Sequence, residues 1–324
     1  MDIDDQKKLS YKFIKLDSSL LHKLYDLHCA VYKNPVPKHL FIKKFISSDG
    51  NIKAIGFCAS LDSNDIVAYY GVFPGKYLFR GKDIIAAQSG DTMTHPKHQG
   101  KGLFVELAKL TYAECKSQGI AFVWGIPNNN SATGFYRKLS WKSLYLIKSI
   151  KIIIPSIPIA LLKDNEAGEK LYYNYINKLA KFLWINTYDV KVNISLPDDS
   201  LLVSNRVYNK YSDDHRYEFL IYEREQGNVI ALLKVSKYLV KIGYIKFPSS
   251  ILGKLRLIGK LFAFSFLSGS FLIKYYFSEN TVQICNLSIP PFLIKDSLTC
   301  GAISFDKSID VNYLGITYCD YDTY

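Results

Sequence analysis

No two cysteines of this chain are spaced to act together. The six, Cys29, Cys58, Cys115, Cys285, Cys300 and Cys319, include no C-x-x-C pair, and no His/Cys group has metal-ligand spacing. No metal site is therefore expected, and scattered reduced thiols in a cytosolic protein are the simplest account. Long apolar runs are missing too. The longest, Leu261 to Ile273, falls short of the roughly 20 residues that a bilayer-spanning helix needs. The opening stretch MDIDDQKKLS is polar and acidic, unlike a secretory signal. These absences lead to the expectation of a cytoplasmic protein with no membrane span. There is also no dense basic run, no helix with clustered Arg/Lys and no aromatic RNA-binding motif. Charge alone would admit a nucleic-acid-binding module, but these absences weigh against one.

What the chain does have is a large hydrophobic complement. Its 324 residues are 48% hydrophobic and include 25 Tyr and 19 Phe. That suffices for one large domain or two ordinary ones. The formal net charge is +12, from 41 basic and 29 acidic residues. Such a balance favours anionic partners, whether phosphate-bearing small molecules, nucleic acid or an acidic membrane surface. A solvated, Lys-rich surface gives the same balance.

Residues 84 to 107, IIAAQSGDTMTHPKHQGKGLFVEL, read as a buried strand, a kink at Thr94-His95-Pro96, a turn at Gln99-Gly100-Lys101-Gly102, and an amphipathic helix. Leu103, Leu107, Leu110 and Ala113 recur at helical spacing, and Gly119 ends the helix. A glycine turn at a helix N-terminus leaves backbone N–H groups unpaired at the positive end of the helix dipole, which suits a phosphate or pyrophosphate. Gly100 and Gly102 allow close approach, and Lys101 adds charge at the rim. An ordinary tight strand-to-helix loop reads the same way on the turn alone. Pro96 cannot donate to a ladder, so the strand is expected to part from its neighbour near Thr94-His95 and expose groups to an extended ligand. An apolar strand, Ile120 to Ile126, follows, and then a helix opened by Asn128-Asn129 that carries Tyr136.

Gln99-x-x-Gly102-x-Phe104 resembles the Arg/Gln-x-x-Gly-x-Gly/Ala signature of the GNAT acyltransferase superfamily. Asn129-x-x-Ala132-x-x-Phe135-Tyr136, followed by Leu139-Ser140-Trp141, resembles that family's later Asn-x-x-Ala-x-x-Leu-Tyr-x-x-x-Gly-Phe element. Phe104 departs from the usual Gly/Ala, and Ser140-Trp141 departs from Gly-Phe. The resemblance spans roughly residues 11 to 154, with its specific core at 84 to 141.

The remaining pattern is compatible with that fold. A strand at Tyr11 to Leu16 leads to a helix capped by Ser18 or Ser19 and running to about Tyr32, and Lys38 to Ile46 reads as a second helix. Strands follow at Ile52 to Ser60 and Ile66 to Phe73, the latter ended by Pro74-Gly75, with a short strand at Tyr77 to Arg80. This order gives an α/β fold with a mixed sheet and helices on both faces, as the resemblance also implies. Leu144 to Ile154 closes the first domain, expected at residues 1–154. Residues 155–188 are a proline-bearing linker and a connecting helix, Asn165 to Phe182. Residues 189–324 are a second, smaller mixed α/β domain, with strands near 217–223, 229–235, 238–247, 272–277, 282–284 and 313–318 and a helix at 252–262. By analogy to two-domain members, this part is suspected to be a degenerate GNAT-like half.

The resemblance implies a coenzyme A thioester as cosubstrate, acetyl-CoA or a short 3-hydroxyacyl-CoA. It places the pyrophosphate on the segment Gln99, Gly100, Lys101, Gly102, Leu103, Phe104 and Val105. It places pantetheine and the oxyanion at the backbone of Thr92, Met93 and Thr94. Asn129 reaches the cofactor or caps its helix. Tyr136 lies beside the thioester sulfur as the acid. The base is open: where many members hold a Glu stand Gln88 and, at the alternative position, Trp124. Asp91 is one candidate, and His95 and His98 could titrate near neutrality, although His95 before Pro96 also suits a structural role. The terminal Asp320, Asp322 and the Tyr324 carboxylate are candidates for lining the acceptor pocket, against a frayed tail. Deprotonation through water also stays open.

Size, two-domain layout and the Gly-Lys-Gly-Leu-Phe turn look most like cytoplasmic members that N-acylate nucleotide-linked amino sugars, such as a dTDP-amino-dideoxyhexose, for surface polysaccharide synthesis. An aminoglycoside, polyamine or peptide amine is the alternative acceptor; such cations prefer an acidic cleft, which the net charge disfavours. Whether the chain forms a homodimer stays open.

Overall fold

The structure, a computed structural model, describes residues 10–47, 51–61, 65–80, 82–164, 166–184, 202–204, 218–222, 229–236, 238–278 and 293–315. The elements follow in chain order as β1 (Lys12–Lys15), α1 (Leu21–Val31), α2 (Lys38–Phe45), β2 (Ile55–Ser60), β3 (Ile66–Phe79), β4 (Lys82–Thr94), α3 (Leu103–Ser117), β5 (Phe122–Gly125), α4 (Asn129–Thr133), and β6 (Lys142–Ile153). Then come α5 (Glu166–Leu183), β7 (Leu202–Ser204), β8 (Glu218–Tyr222), β9 (Val229–Ser236), β10 (Leu239–Ile245), α6 (Ile251–Leu267), β11 (Leu272–Phe277), β12 (Ile294–Ser304), and β13 (Leu314–Gly315). The chain divides into two compact units: residues 1–76, 84–144 and 300–311, and residues 77–83, 145–299 and 312–324. Residues 300–311, which a linear reading places in the second domain, belong to the first unit.

In the first unit β1 and β2, and β2 and β3, pair antiparallel, whereas β4 and β5 run parallel. The end of β12 closes this sheet antiparallel to β5, with Gly301 opposite Gly125 and Ser304 opposite Phe122. The mixed sheet carries helices on both faces because β3 alternates its aromatics. Tyr69 meets Phe45 of α2 edge-on at 5.9 Å, and its neighbour Tyr70 meets Phe104 and Tyr112 of α3, each at 5.7 Å. The helix α3 buries Leu103, Leu107, Ala108, Tyr112 and Cys115, and α1 and α2 bury Leu21, Leu24, Leu27, Phe41 and Phe45. Each buried Leu or Phe among them contributes roughly 1.5–3 kcal/mol. A polar chain crosses this core: the Trp141 indole donates to the Tyr112 hydroxyl at 2.7 Å, the two hydroxyls of Tyr112 and Tyr70 lie 2.8 Å apart, and Ser89 Oγ donates to Tyr70 at 3.2 Å. It satisfies three buried polar tips that would otherwise each cost stability.

Two local expectations are corrected. Asp17 caps a 3-10 turn, Ser18–Leu20, its carboxylate accepting from the Ser19 amide at 2.8 Å, and α1 follows with no side-chain cap of its own, so neither Ser18 nor Ser19 caps it. Pro74-Gly75 does not end β3, which continues to Phe79. The strand β12 was not anticipated at all. The stretches 282–284 and 316–318 lie outside the described residues.

In the second unit β6 pairs antiparallel with β11, β11 runs parallel to β10, and β10, β9 and β8 continue antiparallel. The helices α5 and α6 pack on each other. Tyr172 and Tyr175 of α5 donate to the carbonyls of Ser268 and Leu267, at 2.7 and 3.0 Å. A Ser-rich turn, Ser265, Ser268 and Ser270, knots the end of α6 through buried hydrogen bonds.

Candidate active site

The site is built where β4 outruns its parallel partner. Their pairing is recorded at Ala87 with Val123 and Gln88 with Trp124. The strand β5 ends at Gly125, one residue beyond Trp124, and the chain passes through Ile126-Pro127 into α4. Ser89 still lies beside Gly125, and from Gly90 on β4 has lost β5 as a neighbour while running five residues further, to Thr94. Asp91 sits in this overhang with φ of 53°, a left-handed backbone inside a strand. Such residues bend a strand out of a regular ladder and collect at functional sites. On the other side the chain stays tied to β3, for the His95 amide donates to the Val67 carbonyl at 2.8 Å. The cause of the parting thus differs from the expectation: it is the end of β5 and the kink at Asp91, not Pro96.

Past Thr94 the chain turns through Pro96–His98, capped by His95, whose Nδ1 accepts from the Lys97 amide at 3.3 Å. His98 Nδ1 lies 2.9 Å from the Tyr11 hydroxyl. Burial, then the charges of Lys101, His95 and Lys97, lower the His98 pKa below its ordinary value. Gly100 and Gly102 then take φ of 77° and 79°. A Cβ at either position would meet nothing within 4 Å. Glycine is needed here for its backbone, and the space before it is open.

The helix α3 starts at Gly102 with no side-chain cap. The first amides that bond back are those of Val105 and Glu106, both to the Gly102 carbonyl at 3.0 and 3.3 Å. Among the described residues no acceptor faces the amides of Gly100, Lys101, Gly102, Leu103 or Phe104. Gly100, Lys101 and Gly102 are exposed, and Leu103 and Phe104 send their side chains inward. Five consecutive donors at the positive end of a 15-residue helix fit the phosphates of a nucleotide-bearing ligand. The departure at Phe104 has a packing cause: its ring lies against Tyr70 and Phe135, and a Cβ on Gly134 would fall 2.7 Å from it.

Tyr136 stands on a widened turn, Gly134–Lys138, that follows the short α4. Its ring lies against the backbone of Gly301: a Cβ there would come within 2.8 Å of the hydroxyl. Burial, then the neighbouring Cys300 thiol, push the Tyr136 pKa up to about 12. The expected cap at Asn128-Asn129 resolves onto Asn128, whose Oδ1 accepts from the amides of Asn130 and Ser131 at 3.0 Å each. Asn129 is the first residue of α4, and its side chain lies outside what is described. Asp91 is engaged by Lys44 of α2, 2.6 Å away, with both side chains 13% exposed. To act as a base it would have to trade that ammonium for the incoming amine. Gln88 and Trp124 are both buried. Thr92 and Thr94 are half-buried and Met93 is buried, all on the overhanging part of β4. Asp320, Asp322 and Tyr324 lie outside the described residues. Among the described residues no group of His, Cys, Asp or Glu could hold a metal, and no helix is long and apolar enough to cross a membrane.

Lys44 and Gly301 are the two site residues that sequence reasoning missed. Lys44 carried no distinguishing signal. The run Cys300-Gly301-Ala302 ahead of Ile303, small residues and then a β-branched one, was the only hint of a strand that something bulky lies upon.

Residues 12–144 match the model of the acetyltransferase (GNAT) domain family. The match covers less than half of the chain's 324 residues and marks that part as similar to a GNAT acetyltransferase domain. No curated protein matches the chain. Its fold is similar to that of a conserved protein of unknown function and probable N-acyltransferase from Enterococcus faecalis V583, at 12% identity and a TM-score of 0.57, over 91% of this chain and 73% of that one. It is also similar to a GCN5-related N-acetyltransferase from Kribbella flavida, at 11% identity and a TM-score of 0.54, over 92% and 72%. A third likeness is to a GCN5-related N-acetyltransferase from Sphaerobacter thermophilus, at 12% identity and a TM-score of 0.50, over 93% and 98%. At these identities the likeness concerns the fold.

Proposed function

We propose that the chain is an acyl-CoA-dependent N-acyltransferase whose acceptor is a nucleotide-linked amino sugar. The observation that carries the first part is the open turn at Gly100–Phe104, five amides without a described acceptor, continuous with the overhanging edge of β4. In this reading the turn holds the pyrophosphate of the thioester, and the backbone of Thr92, Met93 and Thr94 holds its pantetheine arm and the developing oxyanion. A bond forms between the amine nitrogen and the carbonyl carbon, and the carbon–sulfur bond breaks. The proton lost by the amine balances the proton gained by the thiol.

Tyr136 serves the departing sulfur. A phenol held at about 12 stays protonated at neutral pH and can donate a hydrogen bond to the thiolate. A thiol near 8.5 is the stronger acid by about 3.5 units, so Tyr136 shares its proton in the transition state and keeps it at the end. The net proton comes from the amine, through Asp91, a terminal carboxylate or water. The surplus of positive charge supports a diphosphate-bearing acceptor over a cationic one.

The test is a thiol-release assay that pairs acetyl- and 3-hydroxyacyl-CoA with a panel of nucleotide-linked amino sugars, an aminoglycoside and a polyamine. Turnover with a nucleotide-linked sugar is the expected result. Turnover with the polyamine alone would remove the acceptor assignment and leave the acyltransferase. No thiol release with any amine, together with no thermal stabilisation by coenzyme A, would remove both.

A further inference from the structure

The helix α6, Ile251–Leu267, is firmly docked in the second unit by one face. Leu257, Leu261, Phe264 and Ser265 are buried, and Phe264 meets Trp184 at 5.2 Å. Ser250 caps its start, accepting from the Gly253 amide at 3.1 Å. Its outward face is also apolar. Ile251 is 76% exposed, Leu252 68%, Leu255 60%, Phe266 41% and Phe262 37%. At 3.6 residues per turn these five fall within one arc of about 100°. Arg256 and Lys260, both exposed, border the arc on one side, and the half-buried Lys254 borders it on the other. The helix contains no Asp or Glu. Among the described residues no partner is found for the side chains of Arg256 and Lys260.

A helix that is apolar on both faces is normally buried on both. The charges decide between the surfaces that could cover this one. A second copy meeting the patch face to face would bring Arg256 and Lys260 close to the same basic residues, with no carboxylate on either helix to offset them. An anionic lipid surface satisfies both parts: the apolar arc enters the acyl boundary while the flanking cations meet phosphate headgroups. We propose that α6 is a membrane-surface docking helix that seats the second unit on anionic phospholipid, lying in the interface and not crossing it. This stands apart from the proposed reaction and does not depend on it.

The experiment is cosedimentation of the full chain with vesicles of phosphatidylcholine alone and of phosphatidylcholine mixed with phosphatidylglycerol. Retention on the mixed vesicles, weakened by salt, is expected. The double substitution Leu255→Glu with Phe262→Glu alters exposed positions, so the thermal midpoint should hold while the bound fraction falls about tenfold or more. Arg256→Glu with Lys260→Glu should abolish the preference for the anionic lipid. A Phe262→Trp variant should shift its emission to the blue on the mixed vesicles. Absence of retention on either vesicle, or unchanged emission of that variant, would overturn the proposal. So would a dimer in sedimentation equilibrium that Leu255→Glu with Phe262→Glu dissolves.

Discussion

Two helices of similar length begin in opposite ways. At α6, Ser250 closes the first turn with its hydroxyl. At α3, Gly102 offers no side chain, and among the described residues five amides in a row have no acceptor. A cap contributes about 1 kcal/mol, so a bare start is a loss of stability unless something else meets the donors. The short α4 of the same unit is capped as α6 is, with Asn128 meeting two amides at once, whereas α2 starts at Pro37 without a side-chain cap. In the proposed function the open start of α3 is where the phosphates of the thioester are held, a role that the capped start of α6 does not have.

The largest effect should separate reaction from cradle. Tyr136→Phe is expected to slow turnover about 100-fold while coenzyme A affinity and thermal midpoint hold; equal turnover would exclude the phenol from the chemistry. Gly102→Ala forces a Cβ into a left-handed backbone at a cost of about 1–2 kcal/mol. Calorimetry should find coenzyme binding weakened by tenfold or more, and unchanged affinity would break the contrast. Ser250→Ala should cost about 1 kcal/mol of stability in denaturant unfolding and leave coenzyme binding untouched. Gly259, interior to α6 with nothing within 4 Å of a Cβ, should respond with the opposite sign to Gly102: Ala there stabilises by roughly 0.5–1 kcal/mol.

The smallest effect is a titration. His98 has its folded pKa lowered below the ordinary 6.5. Between that folded value and 6.5 the unfolded chain binds more protons, so this group's stability is complete above about 6.5 and is lost as pH falls through the window. Coenzyme phosphates at the neighbouring turn should raise the His98 pKa, read by NMR. A pKa that ignores the ligand would place the phosphates elsewhere.

The turn at Gln99–Phe104 was legible because its logic is local: glycine frees φ, and a helix start presents amides. Mixed pairing with helices on both faces was legible too, since alternation and helical spacing are read within one element. The parting of β4 was expected near Thr94-His95 with Pro96 as its cause; it begins earlier, just past Ser89, and His95 still bonds to β3. Pro96 is visible in any reading, whereas the end of β5 at Gly125 matters only through its register with Trp124 and Gln88. Lys44 beside Asp91, and Gly301 beneath Tyr136, were out of reach, since each contact joins segments far apart in the chain. No periodicity encodes which strand returns to close a sheet.

The central claim concerns main-chain groups, and amide NMR reads them directly. Adding coenzyme A should shift the amides of Gly100 through Phe104, and adding pantetheine, which lacks the pyrophosphate, should shift Thr92 to Thr94 while leaving the turn still. If coenzyme A leaves the Gly100–Phe104 amides where they were, the open start of α3 does not hold the thioester.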